Sequence, residues 1–358
     1  MNTNSLFLSL FLTAACALPA LAQDPLAAAV EKTKSADPMA RRQAAEDLGR
    51  LRRPEAAQPL IDLLKDENIF VRATAVDSLG LLRAQQALPR MIELLQKDPA
   101  PQARQQAATA LAYINNPAAE DALISALKDD APGVRFAAVR TLGSMRSQKA
   151  VEPLSSAAAD ADGNMRLAAV SSLAQIGSAA CAGPLKQAAA DADVSVRREA
   201  MKGLGALADA GSADIYKKGL ADKDPLVKLQ AAMALGRLND LSGEGAAIAL
   251  LKDSDHNVRI QAANYLGAYG SKEKGFPALA AASGPEGVAV AKQMMDYAMA
   301  QAKARLGIVD APPPPAPKPE TKPKKGEAKP KAAPKTPAKT APKAPAPKTE
   351  KKPVKAGK

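Results

Sequence analysis

The sequence is poor in the side chains that carry most enzyme chemistry. Its 358 residues include two cysteines, one histidine and no tryptophan, and aromatic residues make up 3%. Cys16 belongs to a predicted signal peptide, so Cys181 is left without a partner for a disulfide. The sequence also lacks a Cys-x-x-Cys zinc pair, a Gly-x-x-x-x-Gly-Lys phosphate loop and a Gly-x-Ser-x-Gly nucleophile elbow. We therefore predict that the protein is not an enzyme and binds no cofactor or metal.

An alanine followed four residues later by a leucine occurs eight times, at a spacing of 31 residues and once of 32. A basic residue stands three positions before each alanine, and a glycine or alanine after each leucine is expected to allow close helix packing. The pairs are Ala44 and Leu48, Ala75 and Leu79, Ala107 and Leu111, Ala138 and Leu142, Ala169 and Leu173, Ala200 and Leu204, Ala231 and Leu235, and Ala262 and Leu266. This period predicts a tandem helical repeat, with the extra residue in the turn at Lys97 to Pro101.

Each unit is predicted to contain two helices. The first follows an Asp or Asn whose side chain can accept hydrogen bonds from the free N–H groups of the first turn. That position holds Asp37, Asn68, Asp162, Asp193, Asp224 and Asp255, and the next holds Pro38, Pro101, Pro132 and Pro225. The second helix opens around Pro59, Pro89, Pro153, Pro184 and Pro277. One helix pair cannot bury its apolar face alone, so neighbouring pairs are expected to share a continuous core.

The repeated pattern resembles the short HEAT repeat of the bilin-lyase-like class. The motif Asp-Pro-x-Val-Lys/Arg-x-x-Ala-x-x-x-Leu-Gly-x-Leu carries the resemblance and is seen here from Asp224 to Leu238. The resemblance covers residues 35–283 and recurs eight times in register. It implies an all-α fold, an α-solenoid of about eight two-helix HEAT-type repeats. It also implies that the first helices lie on a convex side and the second helices on a concave side.

The resemblance does not imply a single function. Related arrays serve as scaffolds, as chromophore-attachment subunits and as a metal-dependent hydroxylase. The hydroxylase is recognised by repeated His-Glu pairs, and here His256, the one histidine, is followed by Asn257. We interpret His256 as a solvated turn residue and Cys181 as a small packed residue, so neither is expected to carry chemistry.

Charged residues recur in both helices of the repeat. The basic residue of the first helix is expected to form hydrogen bonds between adjacent repeats, with a basic groove for polyanions as the alternative. Positions 17 and 21 residues after it, in the second helix, hold Gln58, Asp62, Glu93, Asp121, Glu152, Asp214 and Lys218. The candidates for contact with a protein partner on a concave face are Asp62, Glu93, Asp121, Glu152 and Lys218. A solvated face is the alternative, and the pair Asp129 and Asp130 is interpreted as solvated turn or cap residues.

The two ends of the repeat region differ from it. Leu6 to Leu12 is an apolar run too short to span a bilayer, and Ala20-Leu21-Ala22 has the small-x-small form of a cleavage site. We predict a signal peptide over residues 1–22, with lipid attachment at Cys16 as an alternative. Residues 23–34 and 284–307 are expected to cap the first and last repeats, the latter as an amphipathic helix.

Residues 308–358 are predicted to form a disordered basic tail. From Ala311 onward, 14 lysines and three glutamates give a net charge of +11, out of +12 for the whole chain. This Pro-, Lys- and Ala-rich segment has almost no large apolar residue with which to bury a core. Candidate contacts with an anionic surface are Lys322, Lys324, Lys325, Lys329, Lys331, Lys335, Lys339, Lys351 and Lys352.

These features predict an exported, non-catalytic scaffold of the periplasm or cell envelope, without a transmembrane segment in the mature chain. Its repeats would bind a protein or peptide, and its tail would meet a membrane or an anionic envelope polymer. One alternative is a nucleic-acid binder, because the tail is similar to those of linker histones. Another is a bilin-lyase-like accessory subunit, which rests on fold resemblance alone.

Overall fold

The computed structural model describes residues 24–309, and all regular structure in that range is helical. The range contains eighteen α-helices and seven single turns of 3-10 helix, with no strand among the described residues. Within the same range, no helix combines the length and the apolar character needed to cross a membrane. The predicted signal peptide and all the candidate lysines of the tail lie outside the described residues.

Sixteen α-helices form eight pairs, each consisting of a first helix and a second helix. The first helices are α2 (Pro38–Leu51), α4 (Ile69–Leu81), α6 (Pro101–Ile114), α8 (Pro132–Ser144), α10 (Gly163–Ile176), α12 (Val194–Leu207), α14 (Pro225–Arg237) and α16 (His256–Tyr269). The second helices are α3 (Ala57–Leu63), α5 (Leu88–Lys97), α7 (Glu120–Ala126), α9 (Val151–Ala157), α11 (Ala182–Ala188), α13 (Ala213–Gly219), α15 (Glu244–Leu250) and α17 (Gly275–Ser283). The predicted all-α solenoid of eight two-helix repeats is confirmed.

The residues predicted to cap the first helices do so. Asp37 Oδ1 accepts a hydrogen bond from the Met39 N–H at 2.9 Å, which satisfies one of the free donors of α2. Side-chain caps of the same kind start five further helices, at Asn68, Asp162, Asp193, Asp224 and Asp255. Pro38, Pro101, Pro132 and Pro225 are the first residues of their helices, where a missing N–H costs no hydrogen bond.

The second helices differ from the prediction in two details. In seven repeats the second helix is preceded by a single 3-10 turn, where only a short polar turn was expected. The extra residue of the 32-residue spacing lengthens α5, which has 10 residues where α3 and α7 have 7. The insertion is therefore absorbed by a helix and not by the turn at Lys97 to Pro101.

First helices of adjacent repeats pack closely because small residues face each other. A Cβ atom added to Gly143 would lie 2.6 Å from the Cβ of Ser172, closer than two carbon atoms pack. Hydroxyl groups also donate across this contact at 2.8 or 2.9 Å, from Ser78 to the Ala45 carbonyl, from Thr141 to Ala108 and from Ser172 to Val139. The glycine after the repeated leucine therefore has the packing role that was expected.

The core is a stripe of buried alanines and leucines along the repeats, and Leu142 at its middle is fully buried. Its buried residues group into two clusters that both include residues of α14, with Ala231 in the first and Ala232 in the second, and Leu220 packs against both. In α16, Tyr265 occupies the position that Ser78 or Ser172 holds in earlier repeats. Its ring is fully buried, and at the contact between α14 and α16 a Cβ added to Gly236 would lie 2.7 Å from the ring of Tyr269.

A further helix lies at each end of the repeats. The helix α1 (Pro25–Lys32) packs on α2, and α18 (Ala289–Leu306) packs on α16 and α17. The second of these begins at Ala289, later than the start of the segment 284–307 assigned from the sequence. It ends at Gly307, whose φ of +65° is the left-handed conformation that glycine adopts at low cost.

Candidate functional site

The basic residue of the first helix links neighbouring repeats in six of the eight units. Arg104 donates from Nε and Nη2 to the two carboxylate oxygens of Asp129, at 2.7 and 2.8 Å, and from Nη1 to the Asp98 carbonyl at 2.9 Å. The equivalent pairs are Arg41 with Asp66, Arg72 with Asp98, Arg166 with Asp191, Arg197 with Asp222, and Arg259 with Glu286. The predicted hydrogen bonds between adjacent repeats are confirmed, and we call these pairs the arginine ladder.

The ladder corrects one interpretation made from the sequence. The Asp129 side chain is only 11% exposed, whereas that of Asp130 is 88% exposed. Asp129 lies in the turn as expected, where its Oδ1 accepts from the Ala131 N–H at 2.9 Å, but the expectation of a solvated side chain is wrong for it. Its hydrogen bond to Arg104 lowers the pKa of Asp129 to about 2, and the hydrogen bond from Arg259 lowers that of Glu286 to about 2. Both carboxylates are charged partners of a guanidinium.

In two units the basic residue of the first helix has no carboxylate partner among the described residues. Arg135 on α8 donates from Nη1 to the carbonyls of Asp129 and Asp130, at 2.8 and 3.0 Å. It makes no hydrogen bond or ion pair with a carboxylate of residues 24–309, unlike Arg104 in the preceding repeat. In α14 a lysine, Lys228, replaces the arginine and has no carboxylate partner within the described part of the chain.

A cavity of about 690 Å³ lies beside Arg135, between α6, α8 and the start of α10. Its walls combine rings with polar side chains, among them Gln105, Tyr113, Phe136, Arg140, Asp160 and Asp162. The Arg140 guanidinium carbon lies 6.0 Å from the centre of the Phe136 ring, within the range of a cation–π interaction. The size is that of a site for a side chain or a short segment, since ligand sites range from roughly 300 to 1,000 Å³.

A second cavity of about 440 Å³ adjoins the first along α8, α10 and α12. The two share Phe136, Arg140 and Ser144, and the second reaches Glu199 on α12. We call the combined depression across these four first helices the first-helix groove. Because packed helices lie about 10 Å apart, the groove is about 30 Å long, which matches roughly nine residues of extended chain.

Exposed apolar side chains occur on the first helices and at the C-terminal end of the repeats. Among the described residues, four large apolar side chains exposed by 51–65% lie on first helices, namely Met39, Phe70, Leu81 and Tyr113. The other exposed ones lie on a 3-10 turn and on or beside α18, namely Leu241, Val288, Val290, Tyr297 and Val309. No second helix in residues 24–309 carries an exposed large apolar side chain. Exposed apolar groups beside arginines are typical of protein-binding surfaces, so the first helices are the better candidate for one.

The partner-contact candidates taken from the sequence all lie on second helices. Asp62, Glu93, Asp121, Glu152 and Lys218 belong to α3, α5, α7, α9 and α13. Several have local partners: Glu93 pairs with Arg90 at 2.6 Å, Asp121 with Lys149 at 3.4 Å, and Asp62 accepts from Gln58 at 3.0 Å. They are spread over five repeats, and none of them lines the first-helix groove.

The residues set aside as chemically inert have ordinary surroundings. Cys181 is fully buried, as predicted for a small packed residue, with its sulfur 3.5 Å from the Ser178 hydroxyl. His256 is the first residue of α16, and its side chain is 42% exposed. Within residues 24–309 no three His, Cys, Asp or Glu side chains are grouped so as to hold a metal ion.

The groove residues were not predicted from the sequence, although their positions in the repeat are unusual. Tyr113 stands two positions after the repeated leucine of its unit, and Phe136 follows the repeated arginine of the next. Both positions lie outside the Ala and Leu stripe and hold aromatic rings in a chain with only five phenylalanines and five tyrosines. An aromatic residue outside the buried face of a predicted helix indicates a surface that could bind a partner.

Comparison with known families gives a clear result. The model of the HEAT repeats matches residues 24–103, 88–174, 152–222 and 213–294, which together span most of the described chain. The chain belongs to the HEAT-repeat family. No curated protein matches the sequence. For this HEAT-repeat protein, family membership establishes the fold and is compatible with many partners.

Two solved structures support the same fold. The Escherichia coli protein YibA has a TM-score of 0.53 at 22% identity, over 72% of this chain and 95% of that one. A chain from the complex of Kap95p with RanGDP has a TM-score of 0.56 at 15% identity, over 78% of this chain and 48% of that one. A chain of the CpcE and CpcF complex of phycocyanin lyase, from Nostoc sp., is less similar, with a TM-score of 0.40 at 22% identity, over 68% and 93%.

Proposed function

We propose that this HEAT-repeat protein is a non-catalytic scaffold, exported to a bacterial-type cell envelope, which binds an extended segment of a partner protein in the first-helix groove. The observation that carries the proposal is the groove across α6, α8, α10 and α12, in which Tyr113, Phe136 and Arg140 are accessible. Aromatic rings and arginines contribute most of the binding energy at protein interfaces.

The second helices are a different surface for the same function. Asp62, Glu93, Asp121 and Glu152 would attract a basic partner, and they remain candidates. The groove is favoured over them because it combines apolar area with a concave shape, whereas isolated surface charges contribute little binding energy in water.

The tail supplies the second half of the proposal. The net charge of +11 from Ala311 onward gives long-range attraction to phospholipid, lipopolysaccharide or a wall polymer. Each lysine near an anionic membrane contributes up to about 1 kcal/mol, so the attachment would be strong and sensitive to salt. Nucleic acid would be held in the same way in vitro, but export to the envelope separates the protein from it. A bilin-lyase-like role has no support beyond the shared fold.

The experiment is a fractionation of envelopes that contain either the full chain or a chain ending at Asp310. The full chain should be released by salt, and the shortened chain should be released without salt and still recover the same protein partner in a pull-down. A Phe136→Glu variant of the full chain should stay with the envelope and lose that partner. If the shortened chain remains attached with the same salt response, attachment lies in the repeats or in a lipid on Cys16, and the tail proposal fails.

A further inference from the structure

One position in the first-helix groove has an unfilled hydrogen-bonding arrangement. In the arginine ladder each arginine donates to a carboxylate 25 to 27 residues later, as Arg104 does to Asp129. The corresponding acid for Arg135 is Asp160, yet these two side chains form no hydrogen bond and no ion pair with each other. Both line the larger cavity of the groove.

The donors and acceptors on the two sides of this gap can be assigned. Arg135 uses Nη1 for the carbonyls of Asp129 and Asp130, so its Nε and Nη2 groups remain as donors. Asp160 Oδ1 accepts from the backbone N–H of Asp162 at 2.8 Å, and the second carboxylate oxygen is an acceptor without a described donor. A bound group must therefore accept from Arg135 and donate to Asp160.

Charge decides which group fits. A carboxylate would pair with Arg135 but would face the carboxylates of Asp160 and Asp162 across the same cavity. A lysine or arginine would pair with Asp160 but would face Arg135 and Arg140. A carboxamide offers an oxygen to the arginine and an N–H to the aspartate without adding a net charge.

We propose that the gap between Arg135 and Asp160 binds the carboxamide of an Asn or Gln side chain, presented by the extended partner segment that occupies the groove. This inference rests on the proposed function, because it names the chemistry of the segment that the groove would take. The neighbouring wall of Phe136 and Tyr113 would receive an apolar side chain of the same segment.

The test is a selection of random nine-residue peptides displayed on phage against the full mature chain, with counter-selection on Phe136→Glu. The selected peptides should carry Asn or Gln at one shared position. In fluorescence anisotropy, replacing that residue by Glu or by Lys should weaken binding about tenfold, because buried polar groups are left unpaired.

The peptide preference of an Asp160→Asn variant distinguishes direct contact with the peptide from a purely structural role of Asp160. Its amide can donate to a carboxylate that also accepts from Arg135, so the variant should reverse the preference and bind the Glu peptide more tightly than the Gln peptide. The matched control is Asp66→Asn, which alters a filled ladder position that makes no contact with Arg135 and lies outside the groove, and which should leave the Gln preference unchanged.

The outcomes separate the inference from the proposed function. Groove-dependent peptides without a shared Asn or Gln, or an unchanged preference in Asp160→Asn, would overturn the carboxamide site and leave the groove as a protein-binding surface. A selection that yields no peptide dependent on Phe136 would overturn the groove itself.

Discussion

Arg104 and Asp129 are joined by a two-point fork between neighbouring repeats, with nitrogen–oxygen distances of 2.7 and 2.8 Å. The fork ties a first helix to the turn that begins the next repeat, and both side chains are nearly buried. One repeat later, Arg135 and Asp160 occupy the same positions without the fork. This difference between adjacent repeats gives a matched pair of positions at which stability and binding can be separated.

The first prediction compares isosteric substitutions at these two aspartates. Asp129→Asn should lower the free energy of unfolding by about 1–2 kcal/mol, because it removes the charge that the Arg104 guanidinium faces in a partly buried site. Asp160→Asn should change stability by less than about 0.5 kcal/mol. Urea denaturation followed by circular dichroism measures both. Equal losses of stability in the two variants would show that Arg135 and Asp160 form an ion pair in solution, as Arg104 and Asp129 do.

The second prediction concerns the stability of the protein at low pH. The pKa values of Asp129 and Glu286 are each lowered to about 2 in the folded protein, below the values near 4 of an unfolded chain. Their stabilisation is therefore complete above about pH 5 and is lost as the pH falls towards 2, because the unfolded state then binds more protons. The melting temperature should decrease over that interval, and less steeply in Asp129→Asn. A melting temperature that is constant from about pH 5 to about pH 2.5 would contradict this account.

A third prediction tests the close approach of the first helices. Gly143→Ala should destabilise the protein by about 1–3 kcal/mol, since the new Cβ would lie 2.7 Å from the Ser172 Cα and the helices must separate. The control is Gly183→Ala in α11, where a Cβ meets no atom within 4 Å. That change should stabilise the protein by about 0.5–1 kcal/mol through helix propensity. The melting temperature should fall in Gly143→Ala and rise in Gly183→Ala.

The fourth prediction concerns a buried hydroxyl group on α16. The Tyr265 hydroxyl is buried and has no hydrogen-bond partner among the described residues, and burial raises its pKa to about 12. Tyr265→Phe should therefore stabilise the protein by roughly 1 kcal/mol. Tyr216→Phe is the control, because the hydroxyl of Tyr216 donates to the Leu204 carbonyl at 2.8 Å. That variant should lose roughly 1 kcal/mol, and a loss of stability in both would mean that Tyr265 has a partner.

The sequence predicted those features that depend on local order along the chain. Asp37 and Pro225 mark helix starts through capping and the missing N–H, and the position of Leu142 in the repeat predicts its burial. The partner of Arg104 was not predicted, because Asp129 and Asp130 are adjacent and only the packed structure buries one of them.

The candidate site depended on geometry between repeats, which the period alone does not contain. The groove arises where Tyr113 of one first helix and Phe136 of the next face a common cavity. The buried Tyr265 is a second such feature, since one large residue stands where earlier repeats hold small ones. A strict repeat predicts what all units share, whereas these features lie where individual units differ.

Site-specific photo-cross-linking tests the central claim most directly. The full chain would carry p-benzoylphenylalanine either at Tyr113, in the first-helix groove, or at Glu152, on the second helix α9, and cells would be irradiated intact. The account predicts a discrete protein adduct from position 113 that Phe136→Glu abolishes, and no adduct from position 152. Adducts from position 152 that survive Phe136→Glu, with none from position 113, would contradict it and place the partner on the second helices.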